Sequence, residues 1–80
     1  MQIKLYEIRK NHQLTQQEMA DYLDMSVQTY RNKELGHTSF TANEMFLIGK
    51  KFNKKIDDIF LPTYVPNRKQ KNERISKWIL

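Results

Sequence analysis

Apolar residues recur along this chain at helical rather than strand spacing. Five segments place them three or four positions apart, and polar residues separate one segment from the next. No pair of segments alternates apolar and polar residues as two adjacent strands would. The pattern therefore predicts an all-α fold of five helices, over residues 2–11, 16–23, 27–35, 42–52 and 55–61. The same spacing places Ala42 and Gly49 on the inward face of the fourth helix and Ile56 on that of the fifth, and the small Gly49 permits close helix approach.

Two of these helices share the same start signal. "LTQQEM" at 14–19 and "FTANEM" at 40–45 each place a glutamate three residues after a threonine, the spacing of a capping box. The flanking apolar pairs suit a hydrophobic staple across each start. Gly36 and Asn53 suit helix stops, since both residue types tolerate the left-handed region. The boundaries of helices two, three and four follow from these signals.

The third predicted helix is unusually polar. In "SVQTYRNKELG" at 26–36, Ser26 suits an N-cap and Tyr30 is the main apolar residue. Such a helix is not stable alone, so the rest of the fold must hold it. Its dense set of hydrogen-bonding side chains predicts a surface that binds something, with a merely solvated face as the alternative.

Composition narrows the possible functions. The chain has 80 residues and no cysteine, so it forms one small domain without disulfides or thiolate metal ligands. His12 and His37 stand far apart without ligand spacing, which argues against a metal site. No apolar run approaches the ~18 residues that span a bilayer, and no signal peptide is visible. We expect a soluble protein of the bacterial cytoplasm or nucleoid.

The basic residues are unevenly distributed. Residues 1–66 carry nine Lys/Arg against eight Asp/Glu, whereas residues 67–80 carry five Lys/Arg against one glutamate. We therefore expect a helical domain over 1–61 and a basic tail over 62–80. The tail also ends in apolar residues that suit burial or dimerisation: Ile75, Trp78, Ile79 and Leu80. A basic balance favours anionic partners such as nucleic acid.

Residues 3–61 resemble the Cro and phage-repressor type of helix-turn-helix protein, the XRE or lambda-repressor-like family. The resemblance rests on the order and spacing of Arg9, "LTQ" at 14–16, Met19-Ala20, Ser26, "QTY" at 28–30, Glu34 and Gly36. It implies a compact five-helix DNA-binding domain whose third helix enters the major groove. Asp24 and Gln13 depart from the pattern where glycine is usual, and Lys33 occupies a usually apolar position.

The resemblance also implies roles for individual residues. Bases would be contacted from the third helix, by Val27, Gln28, Arg31 and Asn32. Phosphates would be contacted from both helices and the following loop, by Thr15, Gln16, Ser26, Lys33, Thr38 and Ser39. Arg9 and Glu34 match the buried ion pair of the family.

The function expected from these features is that of a small Cro-like phage or prophage repressor. It would bind a palindromic operator in double-stranded DNA as a homodimer, without cofactor, small-molecule ligand, membrane or catalytic residue. The dimer surface is left open between the helix-five region, Phe46 with Leu47, and the tail. Two other functions stay open: an antitoxin that represses its own operon, and an antirepressor that binds another protein.

Overall fold

The computed structural model describes residues 1–61 of the chain. Within these residues the fold is all-helical, as predicted, with helices α1 Ile3–Asn11, α2 Gln16–Leu23, α3 Val27–Leu35, α4 Ala42–Phe52 and α5 Ile56–Ile59. Helix α5 is shorter than the predicted 55–61, because Phe60 is already extended. The tail over 62–80, with its apolar and basic residues, lies outside the described residues.

Both predicted capping boxes form. At the start of α2, the Thr15 hydroxyl accepts from the backbone N–H of Glu18 at 3.0 Å, and the Glu18 carboxylate accepts from the backbone N–H of Thr15 at 2.8 Å. At the start of α4, Thr41 and Glu44 make the same two bonds at 3.1 and 2.9 Å. These bonds satisfy N–H groups that have no partner within the helix, so each helix begins where its sequence predicts.

Left-handed residues end three of the helices. Asp24 follows α2 with φ 58°, Gly36 follows α3 with φ 91°, and Asn53 follows α4 with φ 55°. Gln13, in the connection between α1 and α2, has φ 58°. Asp24 and Gln13 thus adopt the conformation that the usual glycines of the family would adopt, at some cost in backbone strain.

The core lies where α1, α2, α3, α4 and α5 converge. Its buried apolar residues are Leu5, Met19, Ala20, Leu23, Tyr30, Phe40, Ile48, Phe52 and Ile59. Two residues expected inside are on the surface: Ala42 is exposed, and Ile56 is 36 % exposed. Both occupy the first turn of a helix, where spacing indicates a face but not whether a neighbouring element reaches it.

Helix α4 meets the connection to α5 at Gly49. A Cβ atom there would lie 3.0 Å from the backbone carbonyl oxygen of Lys54. The small residue was expected to allow close helix approach, and the group that approaches is this carbonyl. A side chain at position 49 would therefore press against backbone, which must shift to admit it, rather than against a movable side chain.

The two ends of the described chain are joined through one side chain. The Gln2 amide nitrogen donates to the carbonyl of Leu61 at 3.0 Å, and the Leu61 N–H donates to the Gln2 amide oxygen at 2.7 Å. The backbone N–H of Gln2 also donates to the carbonyl of Glu34 at 2.8 Å. Gln2 thus ties the start of α1 to the end of α3 and to the residue after α5.

Candidate nucleic-acid interface

The helix-turn-helix unit consists of α2, a three-residue connection and α3. Asp24 ends α2 in the left-handed region, and Ser26 caps α3 by accepting from the backbone N–H of Thr29 at 3.1 Å. Helices α2 and α3 pack against each other, and Ala20 of α2 is fully buried in the core. The connection and this packing together determine the direction of α3.

The inner face of α3 is held by an ion pair. The Nε and Nη2 atoms of Arg9 donate to the two carboxylate oxygens of Glu34 at 2.8 and 3.2 Å. The two side chains are only 7 % and 1 % exposed. The Tyr30 hydroxyl donates to the same carboxylate at 2.8 Å, and the Arg9 Nη1 atom donates to the carbonyl of Leu14 at 2.8 Å. A polar helix is thereby anchored in the core with its buried charges paired.

The pKa values in this cluster follow from burial and hydrogen bonding. Burial alone would raise the pKa of Glu34, but hydrogen bonds from Arg9, Gln16 and Tyr30 outweigh it and hold the pKa below its ordinary value. Burial likewise opposes the charge on Arg9, but the hydrogen bonds and charge of Glu34 raise its pKa. Burial and the neighbouring carboxylate raise the pKa of Tyr30. The cluster therefore consists of one carboxylate, one guanidinium and one neutral phenol at neutral pH.

The outer face of α3 displays most of the expected base-contacting residues. Gln28 is exposed, and Arg31 and Asn32 are partly exposed. Arg31 donates through Nε to the Gln16 amide oxygen at 3.2 Å and through Nη1 to the Gln28 amide oxygen at 3.0 Å. Gln28 in turn donates to the Asn32 amide oxygen at 3.2 Å. Val27, the fourth expected residue, is half-buried and packs against the core.

Four of the residues expected to contact phosphates are exposed. Ser26 and Thr15 are exposed, although both hydroxyls also cap helices. Thr38 and Ser39 are exposed in the loop after α3. That loop folds back on the helix, because the N–H of Thr38 donates to the carbonyl of Asn32 at 3.4 Å.

Gln16 and Lys33 are engaged with other protein groups. The Gln16 amide nitrogen donates to Glu34 at 3.0 Å, which joins the outer face of α3 to the buried ion pair. The Lys33 amine, expected to contact a phosphate, donates to the Glu44 carboxylate at 2.6 Å. Because these two side chains are 12 % and 18 % exposed, Lys33 would have to break a partly buried ion pair to reach a phosphate.

The Lys33–Glu44 pair is the main contact that the sequence analysis missed. Glu44 also completes the capping box of α4, so one carboxylate caps α4 and binds α3. Burial alone would raise the pKa of Glu44, but the hydrogen bonds from Lys33 and Thr41 lower it. A usable signal was present in the sequence, since a lysine at a usually apolar position needs an acidic partner if it is buried.

The described residues contain no group of three or more His, Cys, Asp or Glu side chains that could hold a metal ion. Among residues 1–61, no helix is long and apolar enough to cross a membrane. The outer face of α3 itself carries amides, hydroxyls and one guanidinium, all of which form hydrogen bonds.

Comparison with known proteins identifies the family. The sequence model of the helix-turn-helix family of the Cro and lambda-repressor type matches residues 5–59, which is more than half of the chain. The chain belongs to the XRE family. Its α2–α3 unit is the helix-turn-helix of that family, and the protein is a DNA-binding transcription regulator. Searches of curated proteins and of solved structures found no significant match.

Proposed function

We propose that this XRE-family regulator represses transcription by occupying a specific operator as a homodimer. The observation that supports it is the two-sided construction of α3. Tyr30 and Glu34 anchor the inner face in the core, while the outer face carries polar side chains of the kinds that bond base edges. A helix held this firmly can present those side chains to the major groove in a reproducible position.

In this proposal the residues divide by what they contact. Bases are read from α3 by Val27, Gln28, Arg31 and Asn32. Phosphates position the protein through contacts from α2, the connection, α3 and the following loop, made by Thr15, Gln16, Ser26, Lys33, Thr38 and Ser39. Lys33 takes part only where the DNA phosphate displaces Glu44. The protein acts by binding alone, without a cofactor, in the bacterial nucleoid.

A dimer is proposed because one α3 offers few base contacts. Two copies related by a two-fold axis double them and select a palindromic site, with half-sites about one DNA turn, ~34 Å, apart. This arrangement matches a small Cro-like phage or prophage repressor that blocks polymerase at overlapping promoters. Residues 1–61 form the DNA-binding domain in this proposal, and residues 62–80 form an extension available for dimerisation.

In vitro selection of duplex DNA from a random pool tests the proposal. The full chain is used at ~150 mM salt, where binding to phosphates alone is weak. We expect a palindromic motif whose half-site spacing gives the dimer geometry. Failure of the folded protein to enrich any motif would overturn the proposal and favour a protein-binding antirepressor. If the selected motif occurs upstream of this protein's own gene and that gene adjoins a toxin gene, the protein is instead an autorepressing antitoxin.

The dimer interface is tested by sedimentation. If the tail forms it, deletion of residues 67–80 lowers the mass from dimer to monomer. If the α4–α5 surface forms it, Phe46→Ser has this effect, because Phe46 is 56 % exposed beside a groove of about 360 Å³ that Ile56 also lines. Asn43→Ser, at an exposed position of α4 outside the groove, is the matched control. A wild-type chain that stays monomeric on its selected DNA would rule out the dimer.

A further inference from the structure

The hydrogen bonds on the outer face of α3 form one connected series. The Glu34 carboxylate at its start determines which atom of each amide donates and which accepts. A carboxylate only accepts, so the Gln16 amide must turn its nitrogen to Glu34, at 3.0 Å, and its oxygen outward. The oxygen of Gln16 then accepts from Arg31 Nε at 3.2 Å. Because Glu34 is 1 % exposed and also bonded to Arg9 and Tyr30, solvent cannot reverse this orientation at little cost.

Arg31 sets the orientation of the Gln28 amide in the same way. A guanidinium only donates, so the Gln28 amide must turn its oxygen to Arg31, at 3.0 Å. The nitrogen of Gln28 then donates to the Asn32 amide oxygen at 3.2 Å. The orientation of each amide in the series Glu34, Gln16, Arg31, Gln28 and Asn32 therefore depends on the residue before it.

The ordered series leaves mainly donors for an incoming ligand. Of the five N–H hydrogens of Arg31, two are committed to protein partners, and Nη2 has no partner among residues 1–61. Asn32 commits only its oxygen, so both hydrogens of its amide nitrogen stay available in the described structure. Gln28 keeps one hydrogen and one lone pair, because each of its amide atoms already has one partner.

We propose that this series, starting at the buried carboxylate of Glu34, makes the protein a reader of guanine, with Arg31 as the specificity-determining residue and Gln16 and Gln28 as its positioning residues. In the major groove, guanine presents two neighbouring acceptors, N7 and O6, which suit the free hydrogens of an arginine. Adenine presents one acceptor and one donor there. Reading adenine with Gln28 in bidentate fashion competes with its bonds to Arg31 and Asn32.

The inference rests on the proposed function and adds the base that each half-site must contain. Its test uses the duplex that the full chain selects from a random pool. We expect a guanine in each half-site that the Arg31→Met variant no longer prefers. Methionine keeps an unbranched side chain but has no N–H to bond N7 or O6, and the loss of charge weakens binding to every base alike. The preference for guanine over the other bases there falls roughly 5- to 150-fold.

Modified probes separate the base edge from the rest of the site. Replacing that guanine by 7-deazaguanine removes the N7 acceptor and weakens binding by the wild type, but not by Arg31→Met. Replacing it by inosine keeps N7 and O6 and leaves wild-type binding nearly unchanged. If the wild type and the Arg31 variant respond alike to 7-deazaguanine, Arg31 binds phosphate or solvent and the inference is wrong. The selected motif would still support the proposed function.

The positioning role of Gln16 is tested by the same ratio of affinities. In Gln16→Ala, Arg31 loses its link to Glu34, so the ratio of affinities for guanine and 7-deazaguanine probes falls toward 1. A loss of folded protein lowers both affinities equally and leaves the ratio unchanged. Gln17→Ala is the matched control, because Gln17 bonds to Asp21 on the same helix, outside the series.

Four outcomes separate the two proposals. A selected motif with an Arg31-dependent guanine supports both. A selected motif whose guanine preference ignores Gln16→Ala removes the positioning role, and one without an Arg31-dependent guanine overturns the whole inference. Failure of the wild type to select any motif overturns the proposed function and the inference with it.

Discussion

Two consecutive residues of α3 bind the helix to opposite parts of the molecule. Glu34 reaches inward to Arg9 on α1, whereas Lys33 reaches Glu44 at the start of α4. The first pair is almost completely buried and shares its carboxylate with Tyr30 and Gln16, while the second is partly exposed and consists of a single contact. A helix with few apolar residues is therefore fixed by ion pairs, but the two pairs contribute differently to the fold.

The two pairs differ in what can stabilise the carboxylate once its cationic partner is removed. Glu34 is almost completely buried, so removal of Arg9 would leave its charge with only the neutral donors Tyr30 and Gln16. Glu44 would keep its bond from the Thr41 N–H and gain water at its exposed side. The inner pair is therefore a requirement of the fold, and the outer pair adjusts the position of α3 relative to α4.

The largest expected effect comes from breaking the inner pair. Arg9→Ala strands the Glu34 carboxylate and removes the bond to the Leu14 carbonyl, so we expect the free energy of unfolding to fall by about 3–5 kcal/mol. Urea unfolding followed by circular dichroism measures it. Lys10→Ala, at the exposed neighbouring position on α1, is the control and should change stability by less than about 0.5 kcal/mol.

A second variant shows how much of this cost comes from the stranded charge of Glu34. Glu34→Gln removes the charge, so no carboxylate is left to be stranded when Arg9 is changed as well. The further cost of Arg9→Ala in that background should be clearly smaller than its cost in the wild type. Equal costs in the two backgrounds would show that Arg9 stabilises α1 by packing alone.

The next effect is the loss of stability in acid. Folding lowers the pKa of both Glu34 and Glu44, so each carboxylate stabilises the fold above its ordinary pKa, near 4.5. That contribution is lost as the pH falls through the lowered values, because the folded state must then take up protons. We expect the free energy of unfolding to be nearly level from pH 7 to pH 5 and to fall below pH 4.5.

Unfolding at a series of pH values separates the two carboxylates. Glu34→Gln should flatten the acid loss more than Glu44→Gln, because more hydrogen bonds stabilise the charged form of Glu34. Glu18→Gln is the control, since that carboxylate is exposed. An acid loss that survives in both Glu34→Gln and Glu44→Gln would assign it to other groups.

A smaller effect is expected from the outer pair. Lys33→Met removes the amine but keeps an unbranched side chain over Phe40, whose ring lies 5.9 Å from the amine in the wild type. Because Glu44 retains the Thr41 N–H and gains water, the cost should be at most about 1 kcal/mol. Lys50→Met, on the exposed face of α4, supplies the reference. A cost as large as that of Arg9→Ala would mean that the two pairs have the same task.

The parts of the fold that the sequence predicted are those encoded within one turn of chain. Thr15 and Thr41 begin their helices, and Gly36 and Asn53 end theirs in the left-handed region, because each acts on backbone groups within a few residues. Burial was predicted wrongly for Ala42, at the edge of its helix. There the outcome depends on whether a distant segment covers the residue, which local spacing does not encode.

The site shows the same division. The polar residues of α3 could be assigned to an outer face from their spacing and from the family resemblance. The partners of those residues could not, because Lys33 and Glu44 are brought together by the packing of α3 near the start of α4. The bonds from Gln16 to Glu34 and Arg31 likewise span 18 and 15 residues of sequence.

The smallest and most specific test compares the two capping boxes, which share one sequence signal. Thr15→Ala and Thr41→Ala each remove a cap and should cost about 0.5–2 kcal/mol. Glu18 binds only within its own box, whereas Glu44 also binds Lys33, so loss of Thr41 loosens the contact between α4 and α3 as well. We therefore expect Thr41→Ala to cost roughly 0.5 kcal/mol more than Thr15→Ala.

In a Lys33→Met background that excess cost of Thr41→Ala should disappear, because nothing then couples the cap to α3. If the excess persists there, the outer pair and the cap act independently, and the second anchor of α3 is the packing beneath it.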